Sequence, residues 1–141
     1  MNIKKNNKKI YVTGVSGFIG SRIAEIFVKL GYSITGITKN NKFIKAKEMP
    51  IKILKNDLVK NKFLKLKSAD AIIHCATANN IISKNFEAGF NLSVMGTKKL
   101  LDAAVKAKIK NLIFFSTIQV YGTNLVGNIN ENSSTNCTNS Y

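Results

Sequence analysis

The chain has 141 residues, 45% of them hydrophobic, and its 22 Lys+Arg against 7 Asp+Glu give a net charge of +15. One self-supporting core fits this length and two complete domains do not, while the apolar share excludes disorder throughout. No run approaches the ~18 uninterrupted apolar residues of a membrane span, and Thr13, Gly14, Ser16 and Gly17 break the stretch after the basic start Met1 to Lys9, which argues against a signal peptide.

Lys9 to Thr13 is a short β-leaning run that ends in a glycine-rich turn. Phe18 to Leu30 carries Ile19, Ile23, Ile26, Phe27 and Leu30 at the spacing of one helix face, and Gly31 stops it. Ser33 to Thr38 reads as the second strand and Ile51 to Leu54 as the third, with Asn40 to Pro50 between them a loop holding a short helix. Ala71 to Cys75 is the fourth strand. From Phe86 to Ala107 the spacing of Phe86, Phe90, Val94, Thr97, Leu101 and Ala104 predicts a long helix. Leu112 to Phe115 is a fifth strand whose nearly unbroken apolar run is that of a central parallel strand covered on both faces. Gly122 to Asn139, rich in Asn, Ser, Thr and Gly, is a loop, and no sixth strand is recognisable before Tyr141. This alternation predicts an α/β fold, a doubly wound parallel sheet with helices on both faces, stopping short of a sixth strand.

So basic a chain invites a nucleic-acid reading. Its makeup argues otherwise, because Arg22 is the only arginine, whereas base and phosphate recognition favours the guanidinium fork. Lysines such as Lys8, Lys29, Lys45, Lys67, Lys84 and Lys108 are scattered rather than gathered. Solvated faces account for the charge, with weak, salt-sensitive adhesion to polyanions left open and no specific nucleic-acid or membrane partner expected. Cys75 and Cys137 lie far apart without a CxxC or Cys/His pattern, which points to reduced thiols in a cytoplasm rather than a disulfide or metal site. His74, the only histidine, is expected to end a buried strand rather than bind metal.

The run Thr13-Gly14-Val15-Ser16-Gly17-Phe18-Ile19-Gly20 stands where the first strand hands over to the first helix. Glycines at 14, 17 and 20 permit a tight turn, a close approach of diphosphate to backbone amides, and close helix packing. The helix N-terminus adds partial positive charge. The spacing is GxxGxxG, one residue away from the GxGxxG fingerprint, and an ordinary strand-to-helix turn can also contain glycine. A strand before and an amphipathic helix after favour dinucleotide binding. The second strand ends Gly36-Ile37-Thr38-Lys39-Asn40, without the carboxylate that NAD-preferring folds place at the ribose 2′-hydroxyl. Lys39 there could meet a 2′-phosphate, which leans to NADP, and a solvated lysine explains the same residue.

With these residues the sequence resembles the short-chain dehydrogenase/reductase superfamily, in its extended branch of NAD-dependent epimerases and dehydratases of nucleotide sugars. TGxxGFIG is that branch's cofactor motif. Asp57-Leu58, Ile72-Ile73-His74-Cys75-Ala76-Thr77-Ala78, Asn91-Leu92-Ser93-Val94-Met95-Gly96-Thr97 and Phe115-Ser116-Thr117-Ile118-Gln119-Val120-Tyr121-Gly122 follow in the same order, over essentially the whole chain. The resemblance implies a Rossmann-like domain over residues 1–141 that holds NAD or NADP. Gly14, Ser16, Gly17, Phe18, Ile19, Gly20 and Lys39 would form one side of its site. Asp57, with Leu58 beside it, would contact the adenine ring, Ala76, Thr77 and Ala78 would line the cofactor beyond the fourth strand, Asn91 would order the active-site wall, and Ser116 would also belong to the cofactor site. Thr77 departs from the usual alanine. A solvent-facing loop carboxylate and a plain helix asparagine are the rival readings of Asp57 and Asn91.

Catalysis in that family uses a Ser or Thr after the fifth strand, and a Tyr with a Lys four residues on. Those roles map onto Thr117, with Ser116 the lesser candidate, and onto Tyr141, approached through Asn130 and Glu131. The matching lysine position lies beyond the 141 residues. A free tyrosine has a pKa near 10, so only about one molecule in a thousand is phenolate at pH 7; the family's lysine lowers that pKa by its nearby charge. The resemblance thus implies the cofactor-binding portion of a nucleotide-sugar epimerase or dehydratase, lacking the substrate-binding half and unable to turn over unaided. A non-catalytic dinucleotide-binding module or redox sensor is the alternative. The family's habit of dimerising through helices that include the long one makes a homodimer a further expectation.

Overall fold

The computed structural model describes residues 6–40, 50–79, 81–122 and 126–137. Strands β1 (Lys9–Thr13), β2 (Ser33–Thr38), β3 (Lys52–Lys55), β4 (Ala71–His74) and β5 (Leu112–Phe114) form one parallel sheet in the order β3-β2-β1-β4-β5. Helix α1 (Phe18–Lys29) follows β1. Helix α2 (Phe86–Phe90), a π-helical segment (Asn91–Gly96) and α3 (Thr97–Lys106) run consecutively between β4 and β5.

Successive side chains of a strand point to opposite faces, so each strand feeds two cores. Ile10 and Val12 of β1, Ile34 of β2 and Ile73 of β4 pack with Val15 and with Ala24 of α1. On the other face Tyr11, Ile37 and Ile72 meet Leu100, Ala103 and Ala104 of α3, with Leu58, Leu64 and Ile109 completing the cluster. The sheet is therefore doubly wound and Rossmann-like, as the alternating pattern predicts. Its strand order reverses between β1 and β4, which opens a crevice beyond their C-terminal ends. The parallel register sets Thr13 opposite Ile37 on one side and opposite His74 on the other.

The local predictions for β1, α1 and β2 match the structure, with α1 ending at Lys29 and Gly31 behind it at φ +83°. β3 lies one residue later than Ile51 to Leu54, while β4 and β5 each stop one residue short, at His74 and Phe114. The described part of the 122–139 stretch carries neither helix nor strand. The short helix expected between Asn40 and Pro50, and Tyr141, fall outside the described residues.

Two expectations about burial are corrected. Among the described residues β5, like β3, is an edge strand rather than a central one, and Ile113 and Phe114 are 54% and 48% exposed. An apolar run records what a strand is able to bury, but its neighbours decide what it does bury. The long helix is interrupted by the π segment, whose wider turn shifts the helical phase between Phe90 and Thr97. Of the predicted row, Phe86, Phe90, Val94 and Leu101 stay exposed and Thr97 is half-buried, while Ala104 turns inward together with Gly89, Gly96, Leu100 and Ala103.

Candidate functional site

The turn after β1 is built main chain against main chain. Gly14 sits at φ +66°, where residues other than glycine are strained, and a Cβ there would stand 2.9 Å from the Ala76 nitrogen. Its N–H donates to the Ile37 carbonyl at 3.1 Å, and Gly17 N–H returns to the Gly14 carbonyl at 2.8 Å. Gly17 caps α1 without any side-chain hydrogen bond, and the first turn carries no acidic residue. The first N–H groups of a helix have no acceptor within it, so here they are left to the cleft, together with the positive end of the helix dipole. Added side-chain carbons at Gly14, Gly17 and Gly20 would run into the backbone of this turn and of residues 75–76, so only glycine lets these main-chain segments approach so closely.

The cleft measures about 950 Å³, within the roughly 300–1,000 Å³ of small-molecule sites. Gly14, Ser16, Gly17, Phe18, Ile19 and Gly20 form one wall. Ser16 Oγ and Thr38 Oγ1, 3.0 Å apart, tie this wall to the end of β2, beyond which Lys39 lies exposed on the cleft. Asp57 also lines it, but Oδ1 accepts the backbone N–H groups of Val59 and Lys60 at 2.9 and 3.2 Å, so one carboxylate oxygen holds its own turn. Leu58 contributes to the wall although its side chain is 5% exposed and belongs to the core.

Opposite them stand Ala76, Thr77, Ala78 and, at the start of the π segment, Asn91. Thirteen of the sixteen residues proposed from the sequence thus meet around one cleft. Ser116 and Thr117 are not on its wall; Ser116 is exposed, and Thr117 starts the short 3₁₀ turn Ile118–Tyr121, its hydroxyl accepting Gln119 N–H at 3.3 Å. Tyr141 lies outside the described residues.

Several residues that shape the site escape sequence reasoning. Lys99 reaches from α3 to donate to the carbonyls of Leu58, Val59 and Asn61, the first at 2.6 Å, and so clamps the turn that carries Asp57. Ser93 Oγ accepts the Ala78 N–H at 3.2 Å and lies 3.2 Å from Thr77 Oγ1. No local pattern distinguishes these from solvent-facing lysines and serines. His74 is fully buried at the end of β4, as expected, and burial lowers its pKa from 6.5 to about 4. Burial also pushes the neighbouring Cys75 thiol up to about 11. Among the described residues no helix is long and apolar enough to cross a membrane.

Sheet order, glycine turn and cleft together define a Rossmann-type nucleotide-binding domain. More specifically, the chain belongs to the NAD dependent epimerase/dehydratase family, whose family model matches residues 10–141. It is 31% identical over 143 residues to the dTDP-D-glucose 4,6-dehydratase of Dictyostelium discoideum, covering 89% of this chain and 32% of that protein. A UDP-N-acetyl-alpha-D-glucosaminuronate decarboxylase of Bacillus cytotoxicus is 34% identical over 131 residues, 82% of this chain and 38% of the relative. Among solved structures, a UDP-glucose 4-epimerase superposes with a TM-score of 0.84 at 27% identity, over 94% of this chain and 43% of its own. A UDP-glucuronic acid 4-epimerase from Bacillus cereus in complex with NAD gives 0.80 at 26% identity, over 94% and 47%. The chain spans less than half the length of each of these relatives.

Proposed function

We propose that residues 1–141 form the NAD- or NADP-binding domain of a cytoplasmic enzyme that epimerises or dehydrates a nucleotide sugar. The observation that carries this is the uncapped first turn of α1, packed on the left-handed glycine turn and lining the same wall of the cleft. The family membership and the NAD complex of the Bacillus cereus relative support the choice of ligand.

Bound in the cleft, the dinucleotide would supply the hydride acceptor. The chain's own groups would hold the diphosphate on the amides of Phe18 to Gly20, the adenosine between Lys39 and Asp57, and the sugar oxygen at Thr117, with Ser116 beside it. Tyr141 would take the hydroxyl proton. Without a lysine to lower its pKa, a tyrosine is a poor base at neutral pH, so the 141 residues alone bind dinucleotide and do not turn over a sugar.

Fluorescence titration with NADH and NADPH, in the presence and absence of UDP-glucose or dTDP-glucose, tests this. Saturable binding without hydride transfer is expected, and failure to bind either coenzyme overturns the proposal. The placement of Ser116 and Thr117 off the cleft wall favours, as a second reading, a non-catalytic dinucleotide module. Hydride transfer on addition of the sugar nucleotide would dismiss it, and with it the statement that residues 1–141 do not turn over a sugar unaided. The exposed row Phe86, Phe90, Val94, Leu101 and Val105 supports a homodimer through this face; sedimentation of Leu101→Glu against the parent chain tests that.

A further inference from the structure

Both ring nitrogens of His74 are engaged, Nδ1 with Thr13 Oγ1 at 2.5 Å and Nε2 with Thr97 Oγ1 at 2.9 Å. The proton positions follow from counting donors. Thr13 Oγ1 accepts the N–H groups of Cys75 and Ala76, each at 3.1 Å, which uses both of its lone pairs. Its single proton therefore goes to Nδ1. That leaves Nδ1 bare and sets the ring's proton on Nε2, which donates it to Thr97 Oγ1. The Thr97 hydroxyl in turn donates to the Ser93 carbonyl at 2.6 Å. Ser93 Oγ, accepting the Ala78 N–H, returns the path to the loop after β4.

Each link of this closed circuit holds a different part of the cleft wall. Thr13 immediately precedes Gly14, Cys75 to Ala78 form the loop that crowds Gly14, and Ser93 lies in the π segment that presents Asn91. We propose that His74, as the neutral Nε2–H tautomer, is a positioning residue that locks the glycine turn, the 75–78 loop and the π segment into one cradle, the identity of its ligand resting on the function proposed above. A proton added at Nδ1 would point at a hydroxyl with no lone pair left, so the circuit tolerates one protonation state only. Among the described residues, the ring is faced by Thr13 from β1, Thr97 from α3 and the Phe114 ring from β5 at 5.5 Å, with Cys75 next along the chain. None of these carries a charge that would stabilise an imidazolium.

Because the chain has a single histidine, nitrogen NMR of the labelled 141-residue protein reads this state directly. A bare Nδ1 and a protonated Nε2 are expected at neutral pH and down to about pH 5, below the ordinary histidine transition. Thr97→Val keeps the shape and removes the hydroxyl. It is expected to mix the tautomers, to move the Cys75 and Ala76 amide signals on the far side of the ring, and to weaken NADH binding about tenfold. Thr97→Ser should restore all three. An Nδ1–H ring in the parent chain, or a Thr97→Val protein with unchanged His74 nitrogens and unchanged Cys75 and Ala76 amides, overturns the proposal. Should Thr97→Val fail to fold, the tautomer of the parent chain and its persistence to about pH 5 decide alone. A parent chain that shows the tautomer and the coupled shifts, yet binds neither NADH nor NADPH, supports the circuit and overturns the functional proposal instead.

Discussion

A Cβ built on Gly20 would stand 2.3 Å from the carbonyl oxygen of Gly14. The obstacle is backbone, which cannot swing aside, so α1 is seated on the glycine turn at a distance that only hydrogen permits. The same contact seats the first turn of α1, whose Phe18 to Gly20 line the cleft, beside the place proposed for a diphosphate.

Gly20→Ala is therefore expected to destabilise the chain by about 2–4 kcal/mol and to abolish NADH binding. Gly127→Ala is the comparator. Gly127 is also left-handed, at φ +80°, but a Cβ there meets nothing within 4 Å, so about 1 kcal/mol of strain and unchanged binding are expected. Urea unfolding and coenzyme titration measure both. Wild-type affinity in Gly20→Ala would sink the proposed role of the turn.

Stability should fall on mild acidification because of His74. Unfolding frees an imidazole that takes a proton below pH 6.5, while in the folded chain burial delays protonation to about 4. Across that window the unfolded state binds more protons, so stability declines as pH falls, by up to about 3 kcal/mol. Denaturation at a series of pH values should show this slope in the parent chain and a shallower one in His74→Asn. Equal slopes would mean that His74 titrates normally.

Lys39 lies exposed at the mouth of the cleft, where a carboxylate would favour an unmodified ribose. Lys39→Glu is expected to weaken NADPH binding at least about tenfold through like-charge repulsion with the 2′-phosphate, and to leave NADH binding little changed. If both coenzymes respond equally, Lys39 is a solvated lysine without a part in selecting between them.

Lys99→Met retains the aliphatic stem but removes the ammonium that donates to three carbonyls of the 58–61 turn. A loss of about 1–3 kcal/mol is expected from those carbonyls, with several-fold weaker NADH binding as the turn carrying Asp57 loosens. A urea midpoint equal to that of the parent chain would show that the turn holds itself, through Asp57 Oδ1 and its two backbone donors.

Much of this architecture is legible residue by residue. The strand and helix periods of Lys9 to Thr38 predict β1, α1 and β2 as they stand, because those segments are long, regular and stopped by glycine. The glycines at 14, 17 and 20 locate the cleft for the same reason. Where prediction fails, at the exposure of Phe114 and the phase of Phe86 to Leu101, the deciding facts are a neighbouring strand and a single wide turn, neither of which leaves a local pattern.

From its order of residues alone this protein is committed to a parallel α/β domain with a glycine-rich turn after its first strand. Apolar spacing and backbone freedom are properties of neighbours in the chain. Only the folded molecule brings Thr13, His74 and Thr97 together or lays Lys99 over the Asp57 turn, because those partners come from distant segments whose meeting depends on sheet register and helix phase.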